Sequence, residues 1–472
     1  MDTLKQITNP YLPSWEYVPD GEPYVFNDRV YIYGSHDSFG GDVYCPGDYV
    51  CWSAPVSDLG NWKYEGVIFA KGDDPHNTDL QGNLYAPDVT RGSDGRYYLF
   101  YVLSNWDRVS VAVCDEPAGK YKFYGYVHYK DGTMLGCEHG DEAQFDPAVL
   151  TEGDVTYLYT GFCGVGDPNK SGAMCTVLEK DMLTVAKGPV FVAPSSVKSA
   201  GTGFEGHAFF EGPSIRKRGN LYYFIYSSEK FRELCYAVSD KPTGGFKYQG
   251  VLVDNTDTGI DTYKPADMPA YYGANNHGSM VEIEGEWYIF YHRHTNGTNY
   301  SRQGCFEKLV CDGDVRFKQS EITSCAGTPF KEKGEYPAYI ACNLFTDTPV
   351  TYLPWSGWMD DRFPKITQYG GDGQEVIGHI ANMRPGATAG FKYFSCKDVK
   401  KIGISTKGYA VGNMEIRINR PDGKAIASIP IGYNNVWCYE EAEVNIPDEV
   451  FSLYFTYTGD DGYLQFKSFT LK

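Results

Sequence analysis

Five segments of the chain repeat one pattern of alternating aromatic and aliphatic residues. Each segment is centred on a tyrosine, and the five are Tyr31, Tyr98, Tyr157, Tyr222 and Tyr288. Subtracting neighbouring positions gives spacings of 67, 59, 65 and 66 residues, which is the signature of a repeat architecture. Each repeat also holds further short strand-like segments between Gly, Asp and Pro turns. Five repeats of about four strands predict an all-β fold, a five-bladed β-propeller whose blades pack around one axis.

Polar residues recur at a fixed distance before these tyrosines. Counting back ten or eleven positions from each centre reaches Asp20, Asp88, Asp146, Glu211 and His277. The innermost strands of propeller blades line the axis, so we expect these side chains to converge on one funnel. Carboxylates brought together in a partly dry pocket raise one another's pKa and destabilise the fold. Hydrolysis of a glycosidic bond uses such a set, because it needs one protonated and one ionised carboxyl group.

Charge and hydropathy exclude several classes of partner. The net charge of −19 argues against nucleic acid, which requires a basic surface. The chain has no run of eighteen apolar residues and no basic head followed by an apolar stretch at its start. We therefore expect a cytoplasmic protein that is not bound to a membrane, unless a secretion signal has been removed, with a neutral oligosaccharide as its partner. The oligomeric state is left open.

Four motifs resemble the inner-strand motifs of family 43 glycoside hydrolases. In order they are YAPDV from Tyr85, FDPAV from Phe145, FEGPSIRKRGNLYYFIYS from Phe210, and NNHGSM followed by WYIFYHR. The resemblance covers about residues 9 to 330. It implies a five-bladed propeller and hydrolysis with inversion, chiefly by β-xylosidases, α-L-arabinofuranosidases and arabinanases.

The resemblance assigns roles to the acidic residues. Glu211 matches the general acid, and Asp146 matches the carboxylate that orients this acid and keeps its pKa raised. The family's general base is an Asp followed by Pro, but here Asp20 precedes Gly21 and Pro23 follows Glu22. The spacing between Asp20 and its repeat tyrosine, Tyr31, favours Asp20 as the base. The proline that follows Glu22 favours Glu22 instead. On an extended strand both side chains would project to the same face.

Further residues have supporting roles by the same resemblance. His277 matches an axial histidine that approaches a water or a calcium ion, and a buried, hydrogen-bonded histidine is the alternative. Arg293 is expected to hydrogen-bond sugar hydroxyls or to hold a catalytic carboxylate, with a structural ion pair as the alternative. Tyr85 and Phe145 would stack on a sugar ring or pack between blades. No organic cofactor is required, and a calcium ion, if bound, would be structural.

The repeat ends near residue 330. Residues 331–343 are predicted to be a linker, and residues 344–472 show short alternating strands typical of a β-sandwich. The order of these strands resembles family 6 carbohydrate-binding modules. In those modules a tryptophan matching Trp437 holds the sugar together with an aromatic residue of an earlier loop. In this chain Trp437 could instead lie in the core or an interface, and a structural or pocket-shaping role of the domain is favoured over oligosaccharide binding.

These observations predict an exo-acting glycoside hydrolase that releases xylose or arabinose from hemicellulose-derived oligosaccharides by inversion. Glu211 is the expected acid, Asp20 the base and Asp146 the modulator. Acid and base carboxyl groups about 6.5 to 9.5 Å apart would leave room for water. The alternatives are a carbohydrate-binding propeller without catalysis, or a related glycosidase specific for galactose or galactofuranose.

Overall fold

The chain is all-β, as the sequence predicts. A computed structural model describes residues 6–139, 141–348, 359–360 and 362–472. Within these ranges there is no α-helix, and the helical turns are three short 3-10 segments: Lys71–Asp73, Ser196–Lys198 and Ala338–Ile340. No helix among the described residues has the length and apolar character needed to cross a lipid bilayer.

Five antiparallel sheets follow one another along the first part of the chain. The first sheet contains β1 (Glu22–Phe26), β2 (Arg29–Tyr33), β3 (Tyr49–Pro55) and β4 (Lys63–Phe69). The second contains β5 (Leu84–Arg91), β6 (Tyr97–Leu103), β7 (Trp106–Cys114) and β8 (Lys122–Tyr126). The third contains β9 (Ala148–Glu152), β10 (Val155–Thr160), β11 (Gly172–Leu178) and β12 (Val185–Pro194).

The fourth sheet contains β13 (Phe209–Arg218), β14 (Leu221–Ser228), β15 (Glu233–Ser239) and β16 (Lys247–Asp254). The fifth has three strands: β17 (Met280–Ile283), β18 (Glu286–His294) and β19 (Arg302–Lys308). A separate two-stranded ladder follows, formed by β20 (Cys311–Asp312) and β21 (Arg316–Phe317). The five repeat tyrosines all lie in the second strand of their sheets, which confirms the strand assignment of the repeat.

Hydrophobic clusters join each sheet to the next. Aromatic and aliphatic side chains fill the space between the first and second, second and third, and third and fourth sheets. The fourth sheet packs on the fifth, and the fifth packs back on the first, where Val30 and Ile32 meet Phe290 and Phe306. A bridge between Gly21 and Gly278 links the same two sheets. Packing contacts therefore join each of the five sheets to the next and the fifth sheet to the first.

Two further antiparallel sheets form the rest of the chain. One has the order β24 (Lys365–Thr367), β25 (His379–Met383), β32 (Tyr463–Leu471), β27 (Lys401–Tyr409) and β30 (Asn434–Glu443), and β22 (Gly334–Pro337) also pairs with β32. The other has the order β23 (Asn343–Phe345), β26 (Thr388–Phe394), β31 (Phe451–Gly459), β28 (Gly412–Ile418) and β29 (Ala427–Ile431). Phe391 and Phe455 of the second sheet contact Phe466 of the first, so the two sheets share a core.

The segment predicted as a linker, residues 331–343, is built into this second unit. Its residues Gly334–Pro337 form β22 and pair with the C-terminal strand β32. The Tyr336 ring is buried among Phe330, Phe394 and Phe469. Sequence periodicity missed this strand because its four residues are too few to show alternation.

The second unit contacts the loop that follows β18. The backbone N–H of Asn296 donates to the Ile366 carbonyl at 2.6 Å, and Thr367 Oγ1 donates to Asn296 Oδ1 at 2.9 Å. Lys392, which is fully buried, reaches across to Asp257 Oδ2 at 3.0 Å and to Glu321 Oε1 at 2.8 Å. The two parts of the chain are thus joined by hydrogen bonds and by a buried ion-pair cluster.

Candidate active site

A cavity of about 630 Å³ opens at the centre of the five sheets. Its polar side chains include Asp20, Asp146, Glu211, His277 and Arg302. Aromatic rings line much of the remaining wall: Tyr44, Tyr85, Phe145, Phe162, Phe210 and Phe231. The repeat register thus brings the first, third, fourth and fifth sheets together at one place, because Asp20, Asp146, Glu211 and His277 lie at or just before the first strands of their sheets, whereas Arg302 begins the third strand of the fifth sheet.

Asp20 reaches the cavity through an unusual backbone conformation. Its φ is 57°, in the left-handed region that residues other than glycine seldom adopt, and such strain is concentrated at functional sites. Its Oδ1 accepts a hydrogen bond from Arg302 Nη1 at 3.0 Å, and its backbone N–H donates to His292 Nδ1 at 3.3 Å. Burial acts to raise the pKa of Asp20, but the guanidinium of Arg302 holds it well below its usual range. Asp20 is therefore ionised at neutral pH.

Glu22 does not line the cavity, although an extended strand would have placed it on the same face as Asp20. The left-handed turn at Asp20 breaks the alternation before β1 begins at Glu22. Glu22 Oε2 instead accepts hydrogen bonds from Arg216 Nη2 at 2.5 Å and from Ser214 Oγ at 3.0 Å. Arg216 also stacks over the Tyr24 ring at 4.3 Å. Glu22 is thus one half of a buried ion pair behind the cavity wall.

Asp146 and Glu211 form the second acidic group of the cavity. Asp146 also has a left-handed backbone, with φ at 47°, and its Oδ2 accepts a hydrogen bond from the Gly212 N–H at 3.2 Å. Glu211 lies at an irregularity in the β13–β14 ladder, and such bulges re-aim side chains next to active sites. Burial and the neighbouring Asp146 raise the pKa of Glu211. Together the two carboxyl groups hold a proton to higher pH than isolated ones would.

His277 lies between two carboxylates. Its Nδ1 is 3.8 Å from Asp146 Oδ2, and its Nε2 is 3.8 Å from Glu22 Oε1. Burial alone would lower the pKa of His277, but Glu22 and Asp146 raise it to about 9. These carboxylates thus favour the protonated imidazole at neutral pH. Calcium takes six to eight oxygen ligands, waters among them, so the calcium ion expected near His277 stays a prediction.

The predicted Tyr85 and Phe145 belong to a longer arc of rings on the cavity wall. Tyr85 meets Phe145 with centroids 5.7 Å apart, and Phe145 meets Phe162 at 5.2 Å. The arc continues from Phe162 to Phe210 at 5.3 Å and from Phe210 to Phe231 at 4.6 Å. The rings of Tyr85 and Phe145 line the cavity and also pack against a neighbouring sheet, and their stacking on a sugar ring stays a prediction. Such a wall can receive the apolar face of a sugar.

Arg293 lies outside the cavity lining. Its guanidinium donates to the carbonyls of Ala341 at 2.8 Å and Tyr339 at 2.6 Å, in the segment that leads to the second unit. The arginine of the cavity is Arg302, which sequence reasoning missed. Arg302 stands opposite His294 in the β18–β19 ladder, whereas Arg293 stands opposite Gln303. Successive residues of a strand face opposite sides of the sheet, so Arg302, which pairs with His294, and Arg293 lie on opposite sides. The register of this hairpin therefore decides which arginine reaches the cavity.

Comparison with known proteins agrees with this geometry. The model of glycosyl hydrolases family 43 matches residues 7–314, which include all five sheets. A xylosidase/arabinosidase of Thermoclostridium stercorarium is 61% identical over 470 residues, covering 99% of each chain. The chain belongs to glycosyl hydrolases family 43. It is thus a glycoside hydrolase, and the predicted family is confirmed.

Solved structures of family 43 enzymes share the fold. An arabinoxylan arabinofuranohydrolase from Bacillus subtilis, in complex with cellotetraose, matches 99% of this chain and 98% of its own length. Its TM-score is 0.53 at 19% identity, a likeness that concerns the fold alone. A family 43 enzyme from Xanthomonas citri, complexed with xylose, matches 67% of this chain and 93% of its own, with a TM-score of 0.53 and 25% identity.

Proposed function

We propose that this family 43 enzyme removes xylose or arabinose from the ends of hemicellulose-derived oligosaccharides, with inversion at the anomeric carbon. Glu211 donates a proton to the leaving oxygen, and Asp20 takes a proton from the attacking water. Asp146 orients Glu211 and maintains its protonation. The name of the Thermoclostridium relative, xylosidase/arabinosidase, supports the choice of a pentose.

The observation that carries the proposal is the difference between two carboxyl groups of one cavity. The pKa of Asp20 is held low by Arg302, whereas burial and Asp146 raise the pKa of Glu211. Both side chains line the same cavity. One is thus ionised and the other protonated at the same pH, which is the pairing that inverting hydrolysis requires. Glu22 is less suited to be the base, because it does not line the cavity and is bound to Arg216 behind the wall.

The five sheets are proposed to be the blades of a β-propeller. The hydrophobic clusters between consecutive sheets, including the fifth and the first, support this arrangement. The second unit is proposed to be a β-sandwich related to family 6 carbohydrate-binding modules, supported by its two facing sheets and shared core.

A sugar-binding role of the sandwich has support from a different surface than Trp437. The Trp437 ring lies beneath the ammonium groups of Lys407 at 5.0 Å and Lys467 at 6.0 Å, so cations already occupy its surroundings. Three exposed tyrosines form another cluster at the ends of β27 and β32 and just before β30: Tyr409, Tyr433 and Tyr463. Tyr409 lies 5.0 Å from Tyr433 and 6.2 Å from Tyr463, measured between ring centroids. We name these three residues the tyrosine cluster.

Kinetics of matched variants test the catalytic assignment. The wild type, Asp20→Asn, Glu22→Gln and Glu211→Gln are assayed on 4-nitrophenyl β-D-xylopyranoside and α-L-arabinofuranoside. Asp20→Asn is expected to lose about 10² to 10⁴-fold in kcat, the range of general acid–base catalysis. Glu22→Gln is expected to lower the melting temperature while its folded fraction keeps a much larger kcat than Asp20→Asn.

Two outcomes would count against the assignment. An inert Glu22→Gln beside an active Asp20→Asn would transfer the base role to Glu22. A folded wild type that binds oligosaccharides but hydrolyses neither substrate would favour the binding propeller or another sugar, such as galactofuranose.

A further inference from the structure

Arg302 uses its guanidinium group to join two carboxylates. Its Nε donates to Asp37 Oδ2 at 2.8 Å and its Nη2 to Asp37 Oδ1 at 3.0 Å, which is a two-point fork. Its Nη1 donates to Asp20 Oδ1 at 3.0 Å. The side chain is 2% exposed. The fork fixes the plane of the guanidinium, and the plane fixes where Nη1 lies.

Asp37 is itself held on every side. Besides the fork it accepts the backbone N–H of Arg302 at 3.0 Å and the backbone N–H of Cys45 at 3.1 Å. Its side chain is fully buried and, unlike Asp20 and Arg302, it does not line the cavity. Four hydrogen bonds from rigid donors leave this carboxylate no freedom to rotate. Asp37 therefore has no part in contacting a substrate, yet it determines the position of a group that does line the cavity.

We propose that Asp37 is a positioning residue for the hydrolytic reaction, which holds Arg302 in the orientation that keeps Nη1 on the Asp20 carboxylate. The inference rests on the proposed role of Asp20 as the general base. A general base must be held within a few tenths of an ångström of its productive position. An arginine that is itself fixed by Asp37 holds the Asp20 carboxylate in place better than a mobile cation would.

Several charged or titratable groups surround Asp20 and share in its pH dependence. Arg302 and His292 contact it directly, and Asp37 acts through Arg302. His277, His294, Asp146, Glu211 and Cys45 interact with it electrostatically. Arg302 is the strongest of the groups that lower the pKa of Asp20, whereas it is the weakest of the named influences on the pKa of Glu211. The acid limb of the pH–rate profile is therefore the readout that separates positioning from a merely structural role.

Asp37→Asn tests the proposal. The variant keeps the shape of the side chain but turns an amide N–H₂ towards one of the Arg302 donors, so the two-point fork is lost. We expect kcat on 4-nitrophenyl β-D-xylopyranoside to fall about 10²-fold, the cost of misplacing a reacting group by about 1 Å. The acid limb of kcat/KM should move to higher pH, because Arg302 is the largest influence that lowers the pKa of Asp20 and its displacement outweighs the loss of the more distant Asp37 charge. The alkaline limb should move less, because burial and Asp146 dominate the pKa of Glu211.

Two variants serve as controls. Asp74→Asn makes the same substitution at another buried aspartate, which accepts hydrogen bonds from Tyr101, Ser110 and Tyr126 and does not line the cavity. Its melting temperature should fall while both limbs stay in place. If Asp37→Asn fails to fold, Arg302→Lys replaces it, since a lysine keeps the charge but cannot contact both carboxylates in the same way. The same upward movement of the acid limb is expected.

The outcomes separate this proposal from the catalytic assignment. A folded Asp37→Asn whose two limbs stay in place, or whose loss of kcat equals that of Asp74→Asn, overturns the positioning role. An Asp20→Asn variant with wild-type kcat overturns the role of Asp20 as base, whatever Asp37→Asn does. A moved acid limb in Asp37→Asn together with an inert Asp20→Asn supports both.

Discussion

Two carboxyl groups of similar chemistry acquire different charge states because their neighbours differ. Asp20 faces the fixed cation of Arg302, and Glu211 faces the carboxyl group of Asp146. Arg302 remains charged across the working range, so the largest influence that lowers the pKa of Asp20 does not change with pH, and His292 and His277 add smaller ones. The assignment of base and acid thus depends on which neighbour each residue has.

The pH dependence of activity follows from the lowered pKa of Asp20 and the raised pKa of Glu211. The pKa of Asp20 is lowered, so the base stays ionised down to pH values below the usual range of an aspartate, and the acid limb lies there. The pKa of Glu211 is raised, so activity falls as rising pH removes the acid's proton. We expect kcat/KM to form a broad bell, measured from pH 3 to 10 on the arabinofuranoside. Asp146→Asn should move the alkaline limb to lower pH, and an unmoved limb would contradict the role of Asp146.

The charge on His277 has a consequence for stability. Its pKa is raised to about 9 in the folded protein, against about 6.5 in an unfolded chain. The stabilisation is fully present below about pH 6.5 and is lost as pH rises through about 9, and it amounts to something on the order of 3 kcal/mol. Urea unfolding at pH 6, 7.5 and 9 should show this decrease, and the slope should be smaller in His277→Gln. If the free energy of unfolding changes equally with pH in both proteins, His277 is not charged in the folded state.

At the residue scale, the sequence identified the acidic residues but not the direction in which each side chain points. A fixed spacing before the repeat tyrosines identified four residues, and all four line the cavity: Asp20, Asp146, Glu211 and His277. It could not foresee that a left-handed φ at Asp20 separates this residue from Glu22. An isolated sequence gives no φ for an aspartate, since Asp adopts both backbone regions.

At the scale of elements, the strand pattern of the repeat was the most predictable part of the molecule. The second strand of every sheet carries the predicted tyrosine, because a central strand buried on both faces needs a long apolar run. The fifth sheet departs from four strands, with three in its ladder and a separate β20–β21 pair. The sequence does not reveal the register of β18 against β19. This register places Arg302 at the cavity, where Arg293 was expected.

The tyrosine cluster yields a prediction for the second unit. Exposed aromatic rings at the ends of neighbouring strands offer a stacking surface for a neutral polysaccharide, at small cost in side-chain entropy. The double variant Tyr409→Ala/Tyr433→Ala should bind insoluble arabinoxylan at least several-fold more weakly, while kcat on the 4-nitrophenyl substrates is unchanged. Tyr64→Ala, which changes an exposed tyrosine of the first sheet, is the matched control. Equal retention of both variants on the polysaccharide would refute a binding role for the cluster.

At the scale of the whole molecule, the second unit is attached by buried polar contacts as well as by packing. Lys392 Nζ lies 3.0 Å from Asp257 Oδ2, 2.8 Å from Glu321 Oε1 and 3.7 Å from the centroid of the Tyr263 ring. None of these residues stands out in sequence, because they are scattered over two loops and a strand. The end of the repeat predicts a boundary near residue 330, whereas nothing in the sequence indicates these contacts across it.

Lys392→Met tests this attachment. Removing one partner of a buried ion pair leaves Asp257 uncompensated and typically costs about 3 to 5 kcal/mol. We expect a large fall in melting temperature, and limited proteolysis should then release the second unit. Lys400→Met, at an exposed ion pair with Asp398, should cost less than about 1 kcal/mol. A Lys392→Met protein as stable as Lys400→Met would show that the contact contributes little.

The central claim is that Asp20 and Glu211 act together as base and acid of an inverting hydrolysis. Proton NMR of the first sugar released from 4-nitrophenyl β-D-xylopyranoside tests it most directly, because the anomeric signal reports the side from which water attacks. An inverting mechanism predicts that α-xylose appears first and then mutarotates. If β-xylose appears first, the enzyme retains configuration, and a water activated by Asp20 is not the nucleophile that displaces the leaving group.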